Sequence, residues 1–539
     1  MNSPLNPTSP TGPDKPLTAT RRFSLRNVLR VLLCLVVSVA TLVALLYVVE
    51  NWRGKHAWAA YEKELTAKGV SLDFASVVPP PVPDDQNFAA TPFLAPLFDF
   101  EPGTQTWRDR TATTNRMQFA SKLPDFASVQ NRDWRLSEKT DWPAFAAAFG
   151  EAARKAARRS SDAPQDTAQL SAVTNRLQAV ADVLEALKEY DPVLAELRVA
   201  SRRAHARFNI RYEEENPAGI LLPHLAMMKS FVRILSLRAG AELALGRTGP
   251  AMNDLDLAFY LTDTCRGEPF LISPLVRCAL VWIIMQPVWE GLADRQWSDA
   301  QLASIEERLG KFDFLADGRR ALHTEQVFGN RIIDYVRNHP QTLENIGSPE
   351  AGDRSLPPSG WVNALIPRGW FYQEQVNYNR CFQDFVRPGV DVESRRVHPQ
   401  VIEQNEKAVE QSLRGGVSPL LGHRILAAML VPAIPQSQRK FAHAQTMVDA
   451  AVVACALGRY RLASGQFPDS LAALTPKYLE KPPHDLITGE PLKYRPENDG
   501  FVLYSVGWNV KDDGGTVTMS GKKTSSIDLT QGDWVFRVP

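Results

Sequence analysis

Cysteine is scarce: five residues in 539, none in a CxxC pair, which excludes a disulfide framework. Cys34 falls in an apolar run. Cys265, Cys278, Cys381 and Cys455 read as buried free thiols on helices, with a Cys265–Cys278 bridge as the alternative in an oxidising compartment. A surplus of one charge is also missing, since Lys plus Arg number 61 and Asp plus Glu 60. A nucleic-acid binder carries a basic excess on some domain, so that class is disfavoured. No HExxH, GxSxG or P-loop occurs, and the nine histidines form no metal-spaced pair on a helix. Ser437-Gln438-Arg439-Lys440 has the spacing of SxxK without a KTG or SDN companion, and Ser437 reads as a helix N-cap. His323 and Glu325, two apart, fall on different helix faces. Glu213, Glu214 and Glu215 read as a solvated acidic run.

Charge vanishes entirely from Val31 to Val49, nineteen residues. As a helix they cover about 28 Å, close to one hydrocarbon core. Arg21, Arg22, Arg26 and Arg30 precede the run, and mixed charges follow it. The basic side stays cytoplasmic, so everything after residue 50 is expected across the inner (cytoplasmic) membrane. Residues 1–26 read as a disordered cytoplasmic tail and 27–50 as a single transmembrane helix. Thr20 to Arg26 partly resembles a twin-arginine export signal, but Ser24 stands where that signal usually has Phe. The plainer reading is an uncleaved anchor.

Residues 51–140 read as a juxtamembrane helix followed by a connector. The helix continues to about Lys68, with Gly69 as its C-cap. Six prolines between Val77 and Pro96 make an extended strap, and Phe88, Phe93, Leu94, Leu97 and Phe98 give it an apolar side. Residues 141–440 read as a large helical domain. Leu177, Val180, Val183, Leu184 and Leu187 share one helix face. Leu235 to Asp263 resembles one tetratricopeptide-type hairpin through Ala239, Gly246, Ala251, Leu255 and Ala258, with Arg238 and Glu242 off its pattern. Leu271 to Leu292 is strongly apolar, but Arg277, Pro287 and Glu290 mark it as a buried core helix. Ser298 and Gln301 predict a capping box. Phe371, Tyr378, Phe382 and Phe385 form a core-facing stripe, and residues 388–420 read as loop or surface crossing.

From Phe441 to Ala463 the spacing predicts an amphipathic helix, and short strands are expected over 492–494, 501–506, 516–520 and 534–538. The stretch around Tyr460, Phe467-Pro468, Tyr478-Leu479, Pro482, Asp485, Thr488-Gly489, Pro491-Leu492, Tyr504-Ser505, Gly507 and Gly514-Gly515 resembles the globular part of the type II secretion major pseudopilin. The resemblance implies a pilin-like α+β module with an antiparallel sheet over 441–539. It also implies a calcium site with Asp512, Asp513 and Asp533 as ligand side chains. Asn509 and Thr516 depart from the family's aspartates. Pseudopilins place their apolar helix directly before this module, whereas here about 390 residues intervene, so the polymerising tail is absent and fold alone does not transfer function.

The expected whole is mainly α. It is a membrane-anchored extracytoplasmic scaffold with protein partners in the bacterial envelope and no nucleic acid, in the setting of a secretion or pilus-type system. The competing expectations are an envelope hydrolase, whose His, Glu and Ser would be gathered by the fold into a pocket, and a pseudopilus-associated subunit.

Overall fold

The computed structural model describes residues 25–121, 123–124, 133–159, 175–345, 366–414, 423–431, 434–521 and 527–539. Residues 1–24 of the expected tail, Arg21 and Arg22 among them, and residues 346–365 lie outside the described residues, while Leu25 and Arg26 already belong to the first helix. The described chain is mainly helical with small antiparallel sheets, as expected.

Helix α1 (Leu25–Ala67) runs 43 residues without a break, about 64 Å at 1.5 Å per residue. It stops as its sequence predicts: Gly69 adopts φ +75°, and the Val70 N–H reaches back to the Leu65 carbonyl at 2.9 Å. The proline-rich strap then lies against the body with Phe88, Phe93, Leu94, Leu97 and Phe98 all buried.

The body begins with α2 (Arg110–Ser121), α3 (Trp142–Arg159), α4 (Arg176–Leu187) and α5 (Asp191–Ala200). On α4, Val180, Val183 and Leu187 turn inward, but Leu177 in the first turn stays 58% exposed. The expected hairpin is α6 (Pro223–Ala244) and α7 (Thr248–Asp263), turned by Gly246 at φ +72°. Ala239, Ala251, Leu255 and Ala258 are buried at its seam. Helix α8 (Ile272–Ala293) is the apolar one, and its Arg277 is fully buried. That guanidinium donates to the Thr262 carbonyl at 3.1 Å and pairs with Asp263 at 2.8 Å and with Asp317. A buried cation requires such partners. Cys265 and Cys278 are both buried and free, so the bridge does not form.

Helix α9 (Asp299–Leu309) opens with the Ser298–Gln301 capping box. Next come α10 (Phe314–Asn338) and α11 (Arg368–Cys381), the latter running into a π-helical turn at Phe382–Val386. Phe371, Tyr378 and Phe382 are buried, as the stripe predicts. The loop expected over 388–420 is instead partly ordered: strands β1 (Val390–Asp391) and β2 (Arg396–Val397) pair, and α12 (Pro399–Arg414) follows. Ile402 and Val409, seven apart, are buried on α12, as is Pro399 at its start. Val401, Ile402, Ala408, Val409 and Leu413 do recur at helical spacing, but they lie in a polar stretch flanked by Gly and Pro that reads as loop.

Helix α13 (Ile425–Leu430) precedes α14 (Ile434–Ser464). The amphipathic reading of 441–463 fails, because every residue from Phe441 to Ala451 is buried. Helices α8, α9 and α10 and the C-terminal sheet all pack around α14. Enclosed from Phe441 to Ala451, the helix has no solvent-facing side there, and it emerges toward its end, where Leu462 to Ser464 are exposed. Ser437 is therefore no N-cap: it lies inside α14, is buried, and donates to the Ile434 carbonyl at 2.6 Å, while Lys440 is exposed.

The sheet has the order β3 (Lys493–Glu497), β4 (Gly500–Ser505), β7 (Trp534–Val538), all antiparallel, and β5 (Val517–Met519) pairs with β6 (Ile527–Gly532). Trp289 of α8 donates to the Arg537 carbonyl at 2.6 Å. One core runs from Phe88 to Val538, and the boundary drawn at 440/441 falls inside α14.

Among the described residues, four helical stretches are long and apolar enough to cross a membrane: Arg26–Ala67, Pro217–Ala244, Ile272–Ala293 and the α13–α14 stretch within Ile425–Ser464. Their apolar windows are 0%, 56%, 67% and 89% buried.

Candidate functional site

The aspartates singled out in the sequence lie near one another in the C-terminal module, each with its own partners. Gly514 and Gly515, at φ +72° and +79°, fold the 512–516 loop over Asp533, which sits between β6 and β7. Asp533 is 2% exposed, and its carboxylate accepts from the backbone N–H groups of Asp513 (3.2 Å), Gly515 (2.6 Å) and Thr516 (3.4 Å). Asp512 accepts from the Tyr504 hydroxyl at 3.1 Å and from the Gly514 N–H at 3.1 Å. Asp513 accepts from Asn509 at 2.9 Å and pairs with Lys511 at 2.8 Å. Those two contacts, Lys511 first, hold the Asp513 carboxyl below its usual range. Asp485 and Ser505, both in the pseudopilin-like stretch, meet at 2.8 Å, and Asp485 also accepts from the Ile487 N–H at 2.9 Å.

A second cluster joins parts of the chain that no motif links. His224 opens α6, Cys265 and Glu268 lie between α7 and α8, and Ser273 opens α8. The His224 Nε2 is 2.6 Å from Glu268 Oε1, and Ser273 donates to Glu268 Oε2. Phe208 stacks on the imidazole at 4.0 Å between ring centres. Among the described residues, His224, Cys265 and Glu268 are the one group whose potential metal-donor atoms all lie within 4.8 Å of one another. Such a set suits a borderline cation such as zinc.

Its chemistry is constrained by order and access. In a serine hydrolase the imidazole stands between hydroxyl and acid. Here the carboxylate stands in the middle and the serine donates to it directly. Burial, helped by the Glu268 charge, pushes the Cys265 thiol well up, so it stays protonated and is a poor nucleophile. All four residues are buried, and neither cavity described below reaches them. The cluster reads as a polar core in which the Glu268 carboxylate is satisfied and His224 Nδ1 has no hydrogen-bond partner among the described residues. Cys265 and Glu268 are close in sequence, but nothing there points to His224.

The hairpin carries a polar cavity of about 600 Å³. Arg238 and Glu242, the two residues off the tetratricopeptide pattern, line it. Arg238 is held by Asp254 at 3.2 Å and by Asp191, Arg198 by Asp254, and Arg308 by Asp256 at 2.8 Å. Burial pushes the Asp254 and Asp256 carboxyls up, and these arginines oppose it. Arg202 lines the same cavity, is exposed, and has no ion pair among the described residues.

The polar half of α1 docks on the body through a junction that sequence reasoning missed. The Gly369 N–H donates to Asn51 Oδ1 at 2.6 Å, and His423 Nε2 lies 2.7 Å from Glu50 Oε1. Tyr61, Leu65 and Val70 then pack with Val376 of α11.

No family model, curated protein or solved structure matches this chain.

Proposed function

We propose that this protein is a single-pass, N-in component of the bacterial inner membrane whose extracytoplasmic body is held as a platform for protein partners. The observation that carries the reading is the divided character of α1. Its apolar window is 0% buried, unlike the other three candidate spans, while Glu50, Asn51 and Gly54 just beyond the apolar run are engaged with the body. Nineteen uncharged residues flanked by arginines suit that window to a bilayer. The docking surface in this reading is the polar cavity on α5, α6 and α7, where Arg202 is the cation without a carboxylate partner. The sequence resemblance of residues 441–539 to pseudopilins supports partners of the secretion or pseudopilus kind.

The test has two parts. Tags at each end and protease treatment of spheroplasts report topology; a protected N-terminus with an accessible body is expected, and an accessible N-terminus would overturn the anchor reading. Mild crosslinking followed by detergent extraction and mass spectrometry reports partners. Near-stoichiometric secretion or pilus components, lost in Arg202→Glu, are expected. Recovery of the bait alone would reject the platform.

A further inference from the structure

A second cavity, of about 340 Å³, opens where the end of α1 meets α10, the π-helical turn, β1 and α14. Its walls are apolar: Leu315, Leu322, Phe382, Val390 and Phe441 line it. All but Val390 are buried. Its polar lining has one sign. Lys68, Arg319, His323 and Arg387 contribute to it, and no carboxylate does.

Two of those groups are already engaged. Lys68 pairs with Glu64 at 2.7 Å, and Arg319 pairs with Glu393. The other two are not neutralised. Arg387 donates to the Gln326 side chain at 3.2 Å but has no ion pair among the described residues. His323 has no hydrogen bond to its ring among the described residues. Burial lowers the proton affinity of both, and the Arg387 charge lowers that of His323 further. Arg387 is exposed to solvent, so water meets part of its demand, but it has no anion among the described residues beside these apolar walls. A ligand that brings an alkyl chain and an anionic head resolves both features at once.

We infer that this pocket binds a single-chain anionic amphiphile, its alkyl chain among Leu322, Phe382 and Phe441 and its carboxylate or phosphate on Arg387 and His323. The volume is near the floor for ligand sites, which favours one chain over two. Neutral His323 donates one ring N–H to the head, and Arg387 donates a charge-assisted pair. The pocket's α1 edge, Lys68 to Val70, stands about 28 Å along the helix from Val49, at 1.5 Å per residue. In the anchored arrangement the ligand is therefore a monomer taken out of the bilayer rather than a lipid within it.

The full chain in phosphatidylcholine nanodiscs is photolysed with three diazirine probes sharing one dodecyl chain: the carboxylic acid, the alkyl phosphate and the neutral alcohol. Labelled peptides are mapped by mass spectrometry. The expected result is labelling of peptides covering 315–322 or 382–390 by an anionic probe, at least about tenfold above the alcohol. The preferred anion separates a fatty-acid source from a phosphate source. Arg387→Gln should remove the preference and Arg387→Lys restore part of it. Val390→Trp fills the cavity without altering Arg387 or His323 and should remove pocket labelling, with α1 labelling and the melting temperature as internal controls. Labelling confined to residues 25–50, or equal labelling of the pocket by the alcohol, would overturn the inference.

Discussion

Gly54 of α1 and Gly369 of α11 meet backbone to backbone: a Cβ added at Gly54 would lie 2.0 Å from the Gly369 carbonyl oxygen. A Cβ at Gly369 would lie 2.1 Å from the Glu50 carbonyl oxygen. No side chain fits this crossing, because the atoms it would meet are backbone. Gly54→Ala or Gly369→Ala is expected to push the helices apart and to cost about 1–3 kcal/mol. The Asn51–Gly369 and Glu50–His423 contacts should weaken with it. Thermal melting, together with trypsin cleavage at Lys55, Lys63 and Lys68, checks this; unchanged melting and unchanged protection would show the crossing to be dispensable.

Glu374 gives stability an alkaline limit. Its buried carboxyl accepts from the N–H groups of Ile425 (2.5 Å), Leu426 (3.1 Å) and Ala427 (3.3 Å), the start of α13. Burial outweighs these bonds and pushes its pKa up to about 8. In the unfolded chain a glutamate titrates near about 4.3. The folded state therefore holds the proton longer, and this contribution is full below about 4.3 and lost as pH rises through about 8. Calorimetry should show the melting temperature falling as pH rises toward about 8 and levelling above it, with a flatter profile in Glu374→Gln. Parallel profiles would remove Glu374 as the cause.

His443 sets the acid side. Its ring lies 5.5 Å from Trp282 and 5.1 Å from Trp534, centre to centre. Burial, with the Arg135 charge adding to it, pulls its pKa down to about 3. The unfolded value is about 6.5. Stability is thus fully present above about 6.5 and is lost as pH falls toward about 3, by up to about 1.4 kcal/mol per pH unit. Denaturant midpoints followed by tryptophan fluorescence should drop across that window, and His443→Phe should reduce the slope.

Asp533 is expected to hold its loop. Asp533→Ala strands three backbone donors and should cost about 2–4 kcal/mol. The melt is compared in calcium and in chelator. The hydrogen bonds already on Asp533 predict the same loss in both. A loss seen only in calcium would instead make Asp512, Asp513 and Asp533 the ion site that the pseudopilin resemblance suggests.

Local rules were legible in the sequence. Gly69 ends α1, Ser298 and Gln301 cap α9, and Phe88 to Phe98 press the strap inward, because each depends on neighbours a few residues away. Arg277 marked α8 as a core helix because a lone cation in an apolar run needs an internal partner. What was hidden joins distant segments. His224 and Glu268 are 44 apart in the chain, Asn51 and Gly369 are 318 apart, and Glu50 and His423 are 373 apart. The burial of α14 on every side was equally unreadable, since its Ala and Val residues suit a one-sided helix as well as an enclosed one. Arg238 and Glu242 departed from the hairpin pattern because they line a polar cavity, where Arg238 pairs with Asp254 of α7 and Asp191 of α5 instead of filling an apolar seam.

The unbroken course of α1 has a mechanical consequence. A flexible tether would let the body swivel freely, but this helix passes Val49 with no hinge and is pinned at Glu50, Asn51 and Gly54. With its apolar half in a bilayer, a thinner membrane tilts the helix, and the body leans by the same angle. In the anchored arrangement proposed above, lipid thickness would be read as the attitude of the body, and a partner on it would feel a change in the membrane as a change in reach.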